Sequence, residues 1–166
     1  MGNLARLIIF MTAVIVLDQW SKAMIQGSFF YGEVYPVIDG FFNLTYVKNS
    51  GIAFGIGQGV NEILRILMFI VLPLFVTGWL AYLIFIFRNT KILLATSYSF
   101  IFAGAFGNLI DRIFLGHVVD FLQFYYNDHY FPSFNVADSA ITIGACLLVI
   151  DHFLHLRSNA SDPVQK

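Results

Sequence analysis

Two aspartates, Asp120 and Asp138, stand in strongly apolar surroundings, within Val118-Val119-Asp120-Phe121 and Phe134-Asn135-Val136-Ala137-Asp138. A carboxylate in a bilayer costs about 2.5–3.5 kcal/mol even on lenient insertion scales, and such groups usually face a cavity or a partner. Two carboxyls that meet around one water can share a proton, so that one acts as base and the other as acid. That is chemistry suited to hydrolysing an amide. The remaining polar residues of the apolar segments are the next candidates. Asp18 and Lys22 are four apart and share a helix face, where they can pair. The pair either neutralises itself to ease insertion or belongs with the two aspartates. Asn108, Asp111 and Arg112 cluster where an apolar segment ends; Asp111 and Arg112 are adjacent, point apart and need other partners. Asn135, three residues before Asp138, can hydrogen-bond that carboxylate or the peptide near it.

Elements must exist to position these groups, and composition says of what kind. The chain has 166 residues, 58% hydrophobic and 11% charged, with 19 Phe. A soluble domain carries about 25% charged residues, so this is an integral membrane protein. The net charge of -1 argues against a nucleic-acid partner held through phosphates. The single cysteine, Cys146, cannot form an intrachain disulfide and reads as a buried apolar residue.

A membrane-crossing helix needs about 20 mainly apolar residues. Four stretches qualify, at about 4–25, 63–87, 92–110 and 136–156. The first resembles a signal peptide in having Arg6 before its apolar run, but no small-residue cleavage site follows, and it is expected to be a retained span. Pro73 in the second is tolerable where neighbours satisfy the freed carbonyl. The expected fold is an all-α membrane protein of four helices in one domain, 1–166, with a small extramembrane β-sheet in the first outer loop. Arg6, Arg88, Lys91, Arg157 and Lys166 fall on one side; Lys22, Lys48, Arg65 and Arg112 fall on the other. This modest bias favours cytoplasmic termini. The loops at about 26–62 and 111–135 then face outward, together with both aspartates.

In the first loop, Val34-Tyr35-Pro36-Val37-Ile38 and Phe41-Phe42-Asn43-Leu44-Thr45-Tyr46-Val47 flank Asp39-Gly40, a turn dipeptide. This predicts a hairpin at the interface, its aromatic stripe serving as a belt or a substrate face. Gly51, Gly55, Gly57 and Gly59 suggest close backbone approach, not a phosphate loop, since a lysine and a βαβ context are missing. The second loop follows Asp120 with Phe121, Phe124, Tyr125, Tyr126, Tyr130 and Phe131. His117 and His129 are spaced unlike a zinc site. Neither an HExxH metal motif nor a GxSxG elbow is present. Asp151 and His152 lie where snorkelling to the cytoplasm is easy.

Five blocks carry a resemblance: Asp18-Gln19-Trp20-Ser21-Lys22; Asn49-Ser50-Gly51-Ile52-Ala53-Phe54; Gly104-Ala105-Phe106-Gly107-Asn108-Leu109-Ile110-Asp111-Arg112; Val118-Val119-Asp120-Phe121; and Phe134-Asn135-Val136-Ala137-Asp138-Ser139. In this order, across nearly the whole chain, they resemble the bacterial lipoprotein signal peptidases (signal peptidase II). The resemblance implies an aspartic endopeptidase of the bacterial inner membrane. It would remove signal peptides from prolipoproteins whose cleavage-site cysteine already bears a diacylglyceryl group. It implies no metal and no organic cofactor, and membrane lipid as a further partner; the family is also a target of cyclic peptide inhibitors that imitate the substrate. Asp120 and Asp138 match the catalytic dyad. Asp18, Lys22, Asn49, Gly104, Asn108, Arg112 and Asn135 match site-lining positions, and Asp111 joins them as a supporting residue. The alternatives are a transporter or proton relay using buried carboxylates, a non-enzymatic assembly or lipid-binding factor, and an intramembrane protease of the GxGD type. That last motif is missing around both aspartates, and no internal repeat of the transporter kind is visible.

Overall fold

The computed structural model describes residues 1–51 and 61–160; Ile52-Ala53-Phe54, Gly55, Gly57, Gly59 and Lys166 lie outside them. Four stretches of helix are long and apolar enough to cross a membrane: Asn3–Ser28, Glu62–Phe87, Ile92–Leu115 and Val136–Arg157. The first is α1 (Asn3–Ser28). The second is built from α2 (Glu62–Ile66), a π-helical turn (Leu67–Val71) and α3 (Leu72–Phe87). The third is α4 (Ile92–Leu115) and the fourth begins α5 (Val136–Ala160). The π turn ends one residue before α3, so Pro73 falls in the first turn of α3. The helix nonetheless runs on from Glu62 to Phe87, so Pro73 is interior to the span, and the π turn just before it changes the hydrogen-bond ladder where its ring would otherwise clash.

The packing inverts a soluble protein. Large apolar side chains such as Leu17, Trp20, Phe75 and Phe153 are exposed, while Asp18, Lys22, Asn108 and Asp111 are buried. Helix α4 is the central element and packs against α1, α3 and α5. Its contact with α5 is made by small residues. A Cβ at Gly104 would strike the Ala137 carbonyl oxygen, and one at Gly144 would come within 2.7 Å of the Ser97 carbonyl oxygen. Small residues of this kind let membrane helices approach backbone to backbone.

At one end of the bundle lies an antiparallel sheet, order β1 (Val34–Ile38), β2 (Phe42–Asn49), β3 (Val118–Tyr126), β4 (His129–Tyr130). The hairpin β1–β2 forms around Asp39-Gly40 as the turn chemistry predicts. The sheet extends further than expected, because the second loop supplies β3 and β4. The described parts of the two loops, β1 and β2 from the first and β3 and β4 from the second, therefore meet at the same end of the molecule. The β2–β3 register pairs Val47 with Asp120 and Leu44 with Leu122, with a bulge between. At that bulge Thr45 and Tyr46 are both buried. Tyr46, Val119 and Phe121 form a small core with Ile25 of α1, which anchors the sheet on the helices. The chain after β4 returns to β3: the Phe134 carbonyl accepts from Phe121 N (3.0 Å) and Leu122 N (2.8 Å), and Phe134 N donates to Leu122 O (3.0 Å).

Helix α4 also differs from expectation. It runs through Asp111 and Arg112 and stops at Gly116, whose φ of 75° suits a helix C-terminus. The span expected to end at Ile110 is thus longer, because Asn108 and Asp111 find partners inside the bundle.

Candidate active site

The start of α5 explains how Asp138 is held. Asn135 occupies the N-cap: its carbonyl receives the first helical bond, from Ser139 N (3.1 Å). Its side-chain oxygen accepts from Asp138 N (2.9 Å), while Asp138 Oδ2 accepts from Asn135 N (3.2 Å). This is a capping box with Asp at the third helical position, satisfying two orphan donors reciprocally. A third orphan, Ala137 N, donates to Asp18 Oδ1 at 2.8 Å. Asp18 therefore caps α5 from α1. The other oxygen of Asp138, Oδ1, accepts from Asn108 Nδ2 of α4 at 2.7 Å.

Asp120 arrives from β3. Val47 stands opposite it in the ladder, so Asn49, two residues along, lies diagonally on the same face. Asn49 Nδ2 donates to Asp120 Oδ2 at 2.9 Å, and Asn135 Nδ2 donates to Asp120 Oδ1 at 2.7 Å. Each oxygen of both carboxyls thus faces an N–H, and Asn135 touches both residues. Asp120 is 2% exposed. Burial pushes its carboxyl up to about 6; the Asp138 charge raises it as well, whereas hydrogen bonds from Asn49 and Asn135 and the Lys22 charge pull it down. Asp138 is half-buried and borders a cavity of about 510 Å³ lined by Phe131, Phe134, Ser139, Thr142 and Ile143.

Behind this pair sits a charged cluster. Lys22 Nζ lies 2.8 Å from Asp18 Oδ2, 3.0 Å from Asp111 Oδ2 and 2.9 Å from Asn108 Oδ1. Asp111 Oδ2 also accepts from Val119 N (3.1 Å), which ties the cluster to β3. Gln19 completes it: Nε2 reaches Asp18 Oδ2 (3.1 Å), the Gly107 carbonyl (3.1 Å) and Asp111 Oδ1 (2.9 Å). A charge buried without partners costs several kcal/mol, and here two carboxylates share one ammonium and a carboxamide. Gln19 was missed as a site residue. Its signal was an uncharged amide beside Asp18 in an otherwise apolar span.

Arg112 makes no hydrogen bond to this network among the described residues, but its charge lies within electrostatic reach of Asp138, Asp111 and Asp120. Its guanidinium lies 5.9 Å from the Phe69 ring centre. It lines a separate cavity of about 200 Å³ with Ser50, Glu62, Arg65 and Phe69, and among the described residues its buried Nε has no partner. Gly104 touches neither carboxyl; its place is the tight α4–α5 contact one turn from Asn108. His117 Nδ1 sits 2.9 Å from the Leu115 carbonyl oxygen, and His129 lines an aromatic hollow with Tyr125, Tyr126 and Phe131. Cys146 is exposed on α5, not buried as its apolar run suggests, because that face of the helix looks outward.

Fold and site together define a polytopic membrane enzyme. Two solved chains, each described as a bacterial membrane enzyme structure by the in meso method, share the architecture. One, at 2.3 Å resolution, has a TM-score of 0.76 and 31% identity over 98% of this chain and 93% of its own. The other, at 1.9 Å resolution, has a TM-score of 0.74 and 33% identity over 88% of this chain and 91% of its own. Residues 10–154 match the family model described as Signal peptidase (SPase) II. The chain belongs to the signal peptidase II family. Among its relatives, the lipoprotein signal peptidase of Chromobacterium violaceum is 46% identical over 83% of this chain and 85% of its own. That of Syntrophus aciditrophicus is 41% identical over 83% and 86%, and that of Desulforapulum autotrophicum 44% over 88% and 90%. The protein is therefore a multi-pass bacterial membrane peptidase. The match runs against the proton-relay alternative.

Proposed function

We propose that this peptidase is of the aspartic type and removes the signal peptide from diacylglyceryl-modified prolipoproteins, cutting before the lipidated cysteine. The observation that carries the reading is the pairing of Asp120 and Asp138 through Asn135. Two carboxyls from a sheet and a helix start are clamped by amides, and Asp138 opens on an apolar cavity. Family membership supplies the substrate class. Asp138, at the cavity, takes a proton from water as its oxygen attacks the scissile carbonyl carbon. Asp120, buried and raised to about 6, holds the shared proton and gives it to the carbonyl oxygen. When the gem-diol collapses, Asp120 regains a proton from a diol hydroxyl, Asp138 protonates the amine, and the C–N bond breaks. Asn108 and Asn135 keep donors aimed at the charge as it moves.

Asp18, Lys22, Gln19 and Asp111 serve as the platform for these amides, and Gly104 sets the helix spacing. Arg112, at the mouth of its own cavity, fixes the nearby loop or meets a lipid phosphate. Arg6, Arg88, Lys91 and Arg157 lie toward the end opposite the sheet, which supports cytoplasmic termini and an outward-facing site. The cavity beside Asp138 suits an apolar segment of the lipidated peptide, and the cyclic peptide inhibitors of the family would compete there. The test is cleavage of a diacylglyceryl-modified prolipoprotein in detergent with EDTA, by wild type, Asp120→Asn and Asp138→Asn. Wild type should cut before the lipidated cysteine while both folded variants are inactive. A variant with near wild-type activity would remove that residue from the dyad.

A further inference from the structure

The Asp18–Lys22 pair would neutralise itself without help, yet Lys22 spends a third contact on an amide. An ammonium group has three donors and no acceptor. The Asn108 atom 2.9 Å from Lys22 Nζ must therefore be the carboxamide oxygen. The planar amide then has to turn its nitrogen toward Asp138 Oδ1, 2.7 Å away. Asn135 is oriented differently: its oxygen is claimed by a backbone donor, Asp138 N, and needs no side-chain cation. Without Lys22, Asn108 Oδ1 would keep only Asn135 Nδ2, at 3.2 Å, among these donors. That nitrogen already faces Asp120 Oδ1 (2.7 Å) and Val119 O (3.2 Å), so its two protons serve three acceptors. An Asn108 amide free to turn over would set an oxygen against the Asp138 carboxylate.

We infer that Lys22 is a positioning residue for hydrolysis, its ammonium fixing the Asn108 carboxamide so that an N–H always meets Asp138. The inference rests on the dyad reading. Asp18 and Asp111 hold the ammonium in place, and Asn108 carries its orientation one step further to the residue that faces the cavity. Lys22 makes its short contacts with Asp18, Asp111 and Asn108, not with the pair; its contact route to Asp138 runs through Asn108, beside the longer-range pull of its charge on Asp120. A smaller consequence follows for Gln19, which braces the two carboxylates that hold Lys22.

The experiment is a double-mutant cycle in the full-length protein, with kcat, KM and thermal unfolding measured for Lys22→Met, Asn108→Ala and the double variant. Lys22→Met should lower kcat on the order of 10- to 100-fold with KM nearly unchanged, as expected for loss of a charge-assisted hydrogen bond at the reacting group. In the Asn108→Ala background the same change should alter kcat less than about threefold, because the contact route is gone and only the longer-range pull of the charge on Asp120 remains. Lys22→Arg, still donor-only, should restore most of the rate. If Lys22→Met leaves two bare carboxylates and fails to fold, Lys22→Met with Asp111→Asn keeps the cluster's net charge and should show the same kcat loss. Losses that multiply in the double variant, or a folded Lys22→Met within threefold of wild type, would overturn the inference. Activity in Asp138→Asn would sink the dyad reading instead, and an inactive Asp138→Asn beside an unaffected Lys22→Met would sink this inference alone.

Discussion

Replacing Gly104 by alanine isolates the α4–α5 contact. In a helix interior, Gly→Ala normally stabilises by about 1 kcal/mol. Gly78 in α3 offers that effect alone, since a Cβ there meets nothing within 4 Å. At Gly104 the added methyl strikes the Ala137 carbonyl oxygen, with Ile141 Cγ1 at 2.8 Å. A backbone oxygen cannot rotate away, so α4 and α5 must part, by about 1 Å to reach van der Waals contact. The helix term is common to both sites and cancels between them. Their difference is then the overpacking cost, about 1–3 kcal/mol, with Gly104→Ala the less stable. Asn108 lies one turn along the same face, and its bond to Asp138 is 2.7 Å long. Stretched by a similar amount, it passes out of hydrogen-bonding range. Loss of a bond to a charged group costs about 1.5–3 kcal/mol, so kcat should fall roughly 10- to 150-fold. Thermal unfolding and prolipoprotein cleavage of the two variants, side by side, test this. If Gly104→Ala melts with Gly78→Ala and cleaves at its rate, the spacing argument is wrong.

Other outcomes can be stated more briefly. The shared proton leaves the pair as pH rises through the raised Asp120 value of about 6, so kcat/KM should fall on that side. Asn49 stabilises the charged form, and Asn49→Ala should move this limb to higher pH; a limb that stays or moves down would contradict the hydrogen bond's role. Because folded Asp120 keeps a proton above the ordinary 3.8, its contribution to stability is full below that pH and is lost by about 6. Asp120→Asn should remove this slope from unfolding measured across pH 4–6. Asn135→Ser keeps a helix cap and Asn135→Ala does not, so unfolding should separate the two by about 1 kcal/mol. Both should lose activity alike, since both lose the carboxamide N–H to Asp120 and the shorter serine hydroxyl is held at the cap; retained activity in the serine variant would show that this N–H is dispensable.

Much of the fold was legible because a bilayer imposes coarse rules. Four apolar stretches and the Asp39-Gly40 turn placed the helices and the first hairpin. Asn135 and Asp138 were linked by their spacing alone, since a capping box is local. Non-local partners were harder to read. Asn108, Asp111 and Arg112 looked like the end of a span because hydropathy scores each residue for itself, whereas Lys22 and Gln19, far off in sequence, make the helix continuation affordable. β3 was hidden for a related reason. Val118, Val119, Asp120 and Phe121 are all buried, so the strand shows no alternation, and its partner β2 lies in the other loop. Gly104 and Gly107 read as motif letters until the α5 backbone stood against the first and the Asp18 carboxylate against the second.

The hydrogen bonds that close Phe134 onto Phe121 and Leu122 separate two jobs along one stretch of chain. Asp120 precedes that clasp and Asp138 follows it, while Gln123 to Ser133 form an excursion beyond it. Gln123 and Phe124 still pair with β2 and Phe131 lines the cavity beside Asp138, so the part released from both jobs is the exposed tip at Asn127 and Asp128. A fluorophore or epitope grafted at that tip would report on docking while the carboxylates keep their spacing.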